Sequence, residues 1–570
     1  MKKALPILTL LALLATGCGK EELFQWEDPF NNNGQNNNGS SESSTSGITG
    51  SKTASVELDG EDDISGTEFS RTIVITFSNS GSATVSGDVN GIVTVSGNQV
   101  TVDNTATKEK VKYELHGSTT NGFLKIYSNN KQVLVLNDVS ITNPNGAAIN
   151  NQGKKRCFVV VNGSNSLADG TSYTATPADE DEKAAFFSEG QLIFSGSGSL
   201  TVTAKGKAGI TSDDYIRLMD GPTLNVSSSA GHALRGKDAV MISGGTLKAT
   251  ASAAMKKGIA SDSLVVFTGG VTTVNVSGGS AYDDEDKEYK ASSGVKADKL
   301  FVMSDGSLTI TNSGAGGKGI SGDADAYFQG GTVNVTVTGN NDTKSDKSAK
   351  GVKFDGNIYI SGGSVSVKSS HHEGMEAKGT VEITGGTVYV QAYDDAINSA
   401  GQLTVTDGYV CAYSTNNDGM DANGNLYIEG GVTYAIGKGS PEVAMDANTE
   451  KGYRLYINGG VLFAIGGLEN NAVQSQQCYS ASSWTAKKWY SLTVGDKTYA
   501  FYTPEKGGSG LVVSGATQPT VKSNVTVSGG TQIFNGMGVL GGTVSGGSDV
   551  SLSTYSGGGG MPGGGGRPGW

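Results

Sequence analysis

A Gly-Gly or similar turn, set between two short strands of alternating polarity, recurs through most of the chain at a nearly fixed interval. MISGGTLKAT, YISGGSVSV, EITGGTVYV, YIEGGVTYAI and YINGGVLFAI are copies of it. The second turn residue falls at Gly198, Gly221, Gly245, Gly270, Gly306, Gly331, Gly363, Gly386, Gly408, Gly431 and Gly460. Most spacings are 22–25 residues, and Asp138 and Gly163 extend the series backwards. A second motif follows each strand pair: a small residue, an apolar one, any residue, then often Ser or Ala. It reads Gly258-Ile259-Ala260-Ser261, Gly294-Val295-Lys296-Ala297, Gly374-Met375-Glu376-Ala377 and Gly419-Met420-Asp421-Ala422. Units this short cannot bury a face alone and must stack. Glycine supplies the positive φ that their tight turns need. The expected fold is all-β, a parallel right-handed β-helix of about thirteen coils, roughly 60 Å long at ~4.8 Å per rung. A leucine-rich repeat would need Leu at fixed positions and an Asn ladder, and a propeller would need blades of about forty residues. The chain offers neither.

Composition narrows the function. Acids number 55 against 42 Lys plus Arg, a net charge of -13, which argues against sequence-independent binding to nucleic acid. The 86 glycines have no three-residue period and proline is scarce, which excludes collagen. Beyond Cys18 the cysteines are Cys157, Cys411 and Cys478, with no spacing that suggests a disulfide framework or metal knot. Cys411, in the alternating run YVCAY, reads as a small buried residue.

The beginning of the chain reads as an address. Residues 1–17 (MKKALPILTLLALLATG) put two lysines before an apolar run too short for a resident membrane helix. Leu14-Ala15-Thr16-Gly17-Cys18 resembles a bacterial lipobox, which makes Cys18 the expected lipidation site. Gly19-Lys20-Glu21-Glu22 resembles the surface-export signal of Bacteroidota lipoproteins. Residues 18–50 then form the lipidated terminus and a polar, low-complexity linker. Residues 51–135, strand-rich without the Gly-Gly period, are expected as an N-terminal β cap or the first irregular coils. Residues 136–476 are the helix, 477–548 a C-terminal β cap rich in aromatics, and 549–570 a glycine-rich disordered tail. The expected state is a monomeric outer-membrane lipoprotein, exposed at the cell surface, touching membrane only through its lipid.

Insertions fall at 171–183, 278–292 and 339–349, each after the second strand and before the small-apolar motif. Stacked units share one orientation, so these loops should project from one edge, a common position for a binding face. The same edge carries acids. Aligned by the small-apolar motif, Glu373, Asp395 and Asp418 form one row, and Glu376, Asn398, Asp421 and Asp446 a second, with Asp394 beside Asp395. Carboxylates ~4.8 Å apart repel by roughly 3–4 kcal/mol per pair at an effective dielectric of 20. Calcium takes oxygen ligands at about 2.3–2.6 Å, so one ion could touch two successive rungs. Asp and Asn also favour turns for backbone reasons, with their charge shed into water. Upstream, Lys257, Lys296, Lys318, Lys350 and Lys353 take equivalent places, and Lys350 and Lys353 stack directly before Glu373 and Glu376. They are read either as surface salt-bridge partners or, for Lys353, as the base of a polysaccharide β-elimination. His371-His372-Glu373 carries ligand types for a transition metal but no third soft ligand at a defined spacing. GHALRGKD at 231–238 has Asp238 where a phosphate loop needs Ser or Thr, and is rejected.

The runs SLADGTSY, DEDEKAAFFSEGQLIFSGSGSLTV, AGITSDDYIRL, GHALRGKDAVMISGG, HEGMEAKGTVEITGG, DDAINS, NDGMDANG and YAFYTPEKGGSGLVVSG resemble the bacterial β-helical proteins known as carbohydrate-binding domain-containing. The resemblance covers roughly residues 55–545. It implies a fold similar to pectate lyases and calcium-dependent binding of acidic pectic polysaccharide. Carried across by motif, the ion sites fall on Glu373, Glu376, Asp394, Asp395, Asn398, Asp418 and Asp421. Ala396 replaces the glycine common in that turn, and Val443 breaks the first acid row. The expected function is polysaccharide binding through calcium, most plausibly to polygalacturonate. The alternatives are a pectate-lyase-like enzyme using Lys353, and a structural adhesin or stalk stiffened by calcium.

Overall fold

Adjacent repeats pair rung on rung, parallel and in register. Leu234 lies over Ile259, Ile259 over Val295, Val295 over Ile320 and Ile320 over Val352. All five side chains are buried. The computed structural model describes residues 53–557, apart from 175, 176, 178 and 179. The leader, Cys18, the linker through residue 50 and the tail beyond 557 lie outside the described residues. The architecture is a parallel β-solenoid with three faces. One face, called the third here, is a fifteen-stranded sheet running from Val93–Ser96 to Met445–Ala447. The first and second faces merge into a thirty-stranded sheet, because strands such as Leu264–Val276 and Leu300–Asn312 turn their shared corner unbroken. Fifteen strands exceed the thirteen coils expected. Gln99–Asn104 and Phe123–Ser128 stack as parallel rungs although the Gly-Gly period is missing there.

Alternation on each strand divides core from surface. In Thr223–Ser228, Leu224 and Val226 point inward and Asn225 and Ser227 outward. Large rings fill one stretch of the interior, where Phe301 packs against Phe267, Phe328 and Phe354. The small residue of the second motif has a steric cause. A Cβ on Gly258, Gly294, Gly319, Gly351 or Gly374 would come within 2.1–2.3 Å of a branched methyl on Val274, Ile310, Val335, Val367 or Val390.

Both ends are closed. Strand Leu511–Ser514 pairs antiparallel with Val461–Ile465 and with Cys478–Ala481, covering the open edge of the last coil. Beyond it, a six-stranded antiparallel sheet begins at Trp489–Val494 and runs to Thr543–Asp549. It packs Tyr490 and Phe501 on Tyr434 and Phe463, part of the outward row Tyr389, Cys411, Tyr434 and Phe463. The aromatics of this region thus form a buried joint. Cys157, Cys411 and Cys478 are buried free thiols.

At the other end, residues 54–69 run as a strap across the outside of the first face. Ala54, Val56, Leu58, Ile64 and Phe69 pack on the outward row that includes Phe158, Met241, Val302, Tyr327 and Tyr359. The amide of Ala54 donates to Gln329 Oε1 at 2.6 Å, and Gln329 Nε2 returns a bond to the Ala54 carbonyl at 2.9 Å. Farther along, Arg156 donates to Asp59 at 2.5 Å, Glu61 at 2.8 Å and Asp62 at 2.9 Å. Arg217 holds the other oxygen of Asp62 at 2.9 Å, and Tyr215 donates to Asp62 at 2.5 Å. Asp62 is fully enclosed, so removing it takes from buried Arg217 its carboxylate partner and from Arg156 one of three. We expect Asp62→Ala to destabilise the strap by about 3–5 kcal/mol. Limited proteolysis should then cut within residues 53–69 while the coils remain intact.

Candidate acidic ladder on the third face

The outward row of the third face changes sign along its length. Backbone register aligns Arg235, Ala260, Lys296, Ser321, Lys353, Glu376, Asn398, Asp421 and Asp446, one residue per rung. Glu469 continues it: Leu468 bridges to Met445 in parallel, and Asp446 shares a hydrogen bond with Glu469. The sequence reading missed Glu469, although Gly467-Leu468-Glu469 repeats the small-apolar motif. At the neighbouring corner Lys257, Ser293, Lys318 and Lys350 align. Below them the amide of Gly351 donates to the Glu373 carbonyl, that of Gly374 to Asp395 and that of Ala396 to Asp418. Both expected rows therefore exist in register, with lysines above and acids below.

The lysines have local partners. Arg235 pairs with Asp262 at 2.6 Å, and Lys296 with Asp298 at 2.5 Å and Asp323 at 2.8 Å. Lys353, the candidate base, pairs with Asp355. Lys318 is buried and donates to the Ser348 carbonyl. Burial, then the charge of Lys350, pull its ammonium down to about 7.

The top of the acid ladder is neutralised from within. Lys350 Nζ lies 2.5 Å from Glu376 Oε2 and 3.3 Å from both oxygens of Glu373, and Lys378 pairs with Glu376 Oε1. Burial alone would raise the Glu376 carboxyl, but the charge and hydrogen bond of Lys350, with Lys378 behind them, hold it at about 2. His372 touches Glu373 through Nδ1 and lies 3.4 Å from Asp394 Oδ2. Burial, then Lys350, lower the His372 imidazole, which keeps it neutral near pH 7.

The lower part differs. Asp395 is buried, accepts from the Asp418 amide at 3.1 Å and from Asn398 Nδ2 at 3.0 Å, and forms no ion pair with a Lys or Arg among the described residues. Asn398 Nδ2 also reaches Asp421 Oδ2 at 3.3 Å, so one amide bridges two rungs. Asp418, also buried, accepts from the Val443 amide at 2.5 Å. Burial, then the charges of Asp421, Asp394 and Asp418, push the Asp395 carboxyl up to about 8. Asp446 moves in the same direction through burial, its bond with Glu469 and the charge of Asp418. The insertions leave this corner or one upstream of it. Residues 281–290 form a hairpin with Tyr282 packed on Tyr289, and Ser280 donates to Asp342 at 2.6 Å, tying two insertions together. Asn341 donates to the His371 carbonyl at 3.2 Å, which docks the second of these loops on the corner of Glu373. In the 171–183 insertion Glu180 is held by Lys125 at 2.8 Å and Tyr127 at 2.5 Å.

The family described as carbohydrate-binding domain-containing protein matches residues 96–262 and 312–396, less than half of the chain. The matched part takes in Glu373, Glu376, Asp394 and Asp395 and stops two residues before Asn398. A solved structure described as the polysaccharide lyase-like protein from C. thermocellum, gadolinium derivative, is 22% identical, covers 46% of this chain and 96% of its own, and has a TM-score of 0.37. No curated protein matches the chain.

Lys350 is the residue on which the upper ladder depends. Lys350→Met leaves Glu373 and Glu376 buried beside each other, and we expect a loss of about 3–5 kcal/mol near neutral pH. The Glu376 carboxyl is depressed to about 2, so its contribution is complete above the ordinary glutamate value of about 4.3 and disappears as pH falls through 2. Urea unfolding of the variant and the parent at pH 7 and at pH 3 should show the gap shrinking at the lower pH.

Proposed function

We propose that the protein binds an acidic, pectin-like polysaccharide through calcium held on the lower acid ladder, as a lipoprotein at the cell surface. The observation that carries the reading is the stacking of acids on consecutive rungs: Asp394 and Asp395, then Asp418 and Asp421, then Asp446. Within that stack the Asp395 and Asp446 carboxyls are both pushed toward the protonated form. A cation is the natural replacement for those protons. Asp395, Asn398, Asp418, Asp421 and Asp446 offer oxygen donors, the set that calcium prefers, while Asp394 turns its Oδ2 to His372 instead. Glu373 and Glu376, already facing Lys350, are assigned to fixing the upper edge of the site. Calcium would supply positive charge between an acidic protein and an acidic glycan. The match to a carbohydrate-binding family supports the ligand class.

Linkage gives the reading a pH signature. The Asp395 carboxyl is raised from its ordinary value of about 3.9 to about 8, so the calcium-free fold binds more protons than the unfolded chain between those values. Stability without calcium should fall as pH rises through that window. Calcium in excess should remove the fall, and Asp395→Asn should reduce both the fall and the rescue, leaving the share that Asp446 contributes. Thermal melts at pH 5, 7 and 8.5, with chelator or calcium, measure this.

Polygalacturonate binding is tested by affinity electrophoresis or calorimetry with calcium and with chelator. Loss of binding on chelation, and in Asp395→Asn and Asp421→Asn, is the expected result. Binding that survives chelation would overturn the calcium bridge. For the anchor, Cys18→Ser should release the protein from the membrane fraction.

A further inference from the structure

We propose that His372, Glu373 and Asp394 form a separate site for a divalent transition-metal ion such as zinc. Their ligand atoms all lie within 4.8 Å of one another. His372 Nδ1 faces Asp394 Oδ2 at 3.4 Å and touches Glu373 Oε2. Glu373 is 7% exposed, and its Oε2 and the Nδ1 of His372 are buried without a hydrogen bond. An imidazole nitrogen and two carboxylate oxygens that converge in this way are what a metal ion would join. The other oxygen of Asp394 accepts from Asn417 Nδ2 at 2.8 Å, an outer contact that orients the carboxylate and leaves Oδ2 turned to the imidazole.

The donor set separates this site from the ladder below it. An imidazole with two carboxylates suits zinc, nickel or copper, whereas calcium takes oxygen alone. Three protein ligands leave a position open for water or for an oxygen of a bound molecule. Lys350 stands 3.3 Å from Glu373, but its nearer partner is Glu376 at 2.5 Å, which retains the ammonium when a cation occupies Glu373. The other cluster of this size, Asp181, Glu189 and Asp213, has only carboxylates and already pairs two of them with Lys183.

The test uses the full chain without a polyhistidine tag, stripped with chelator and titrated with cobalt(II) and then zinc(II). The expected result is one equivalent of cobalt with visible d–d absorption, displaced by zinc. His372→Ala and, independently, Asp394→Asn should each weaken zinc binding at least tenfold with circular dichroism unchanged, and His371→Ala should leave it intact. Calcium binding by His372→Ala should equal that of the parent, which keeps this site distinguishable from the calcium ladder. No cobalt uptake, or uptake unaffected by His372→Ala, would overturn the proposal.

Discussion

The hydrogen bonds between successive coils govern the rest of the structure. Each rung donates and accepts along the rod, so a residue is fixed against its counterpart one repeat away. Like positions become neighbours whether or not their chemistry suits it. Where the chemistry suits, rows reinforce the fold: Tyr427 stacks on Tyr456 at 4.6 Å and 12°, and Tyr327 on Tyr359 at 4.9 Å. Where it does not, the same register forces like charges together at a spacing the side chains cannot escape. The acid ladder is the second case.

The third face handles its charges in two ways. Upstream, Arg235, Lys296 and Lys353 each find an aspartate at a nearby corner, so their charge is balanced locally. At Lys350 the solution changes, because one partly exposed ammonium serves two buried glutamates. Below that point acids meet acids, with Asn398 as an uncharged spacer that donates to both sides. The protonation of Asp395 and Asp446 is the response available to the protein alone. A site of this kind couples any bound cation to the stability of the coils that display it.

Much of this was readable in the chain. The period set the stacking, and with it the register of both acid rows and the placement of Lys350 and Lys353 above them. The substitution of Ala396 for glycine, which looked like a departure, has a compensating partner. Val390, the valine whose methyl excludes a Cβ at Gly374, is followed on the next rung by Ala412, so Ala396 has room. What the sequence hid depends on where side chains turn and not on their spacing. Asn417 orienting Asp394, and Lys378 closing on Glu376, have no spacing of their own in the motif. The first rungs, 99–104 and 123–128, were ambiguous because their turns are not glycine pairs. The strap was invisible as well: residues 54–69 carry an ordinary scatter of apolar and acidic residues, and only the outward apolar row they cover explains them.

That strap decides how the molecule meets mechanical load. Its first described contact, Ala54 on Gln329, lies alongside the middle of the rod, and its arginine clamp lies nearer the N-terminal coils. Tension on the preceding chain peels the strap from the middle toward the end, one contact at a time. The clamp of Arg156 on three carboxylates is the last of these polar contacts before the first coil. Load applied at residue 53 therefore falls on a seam, and the rungs that carry the acids lie outside it.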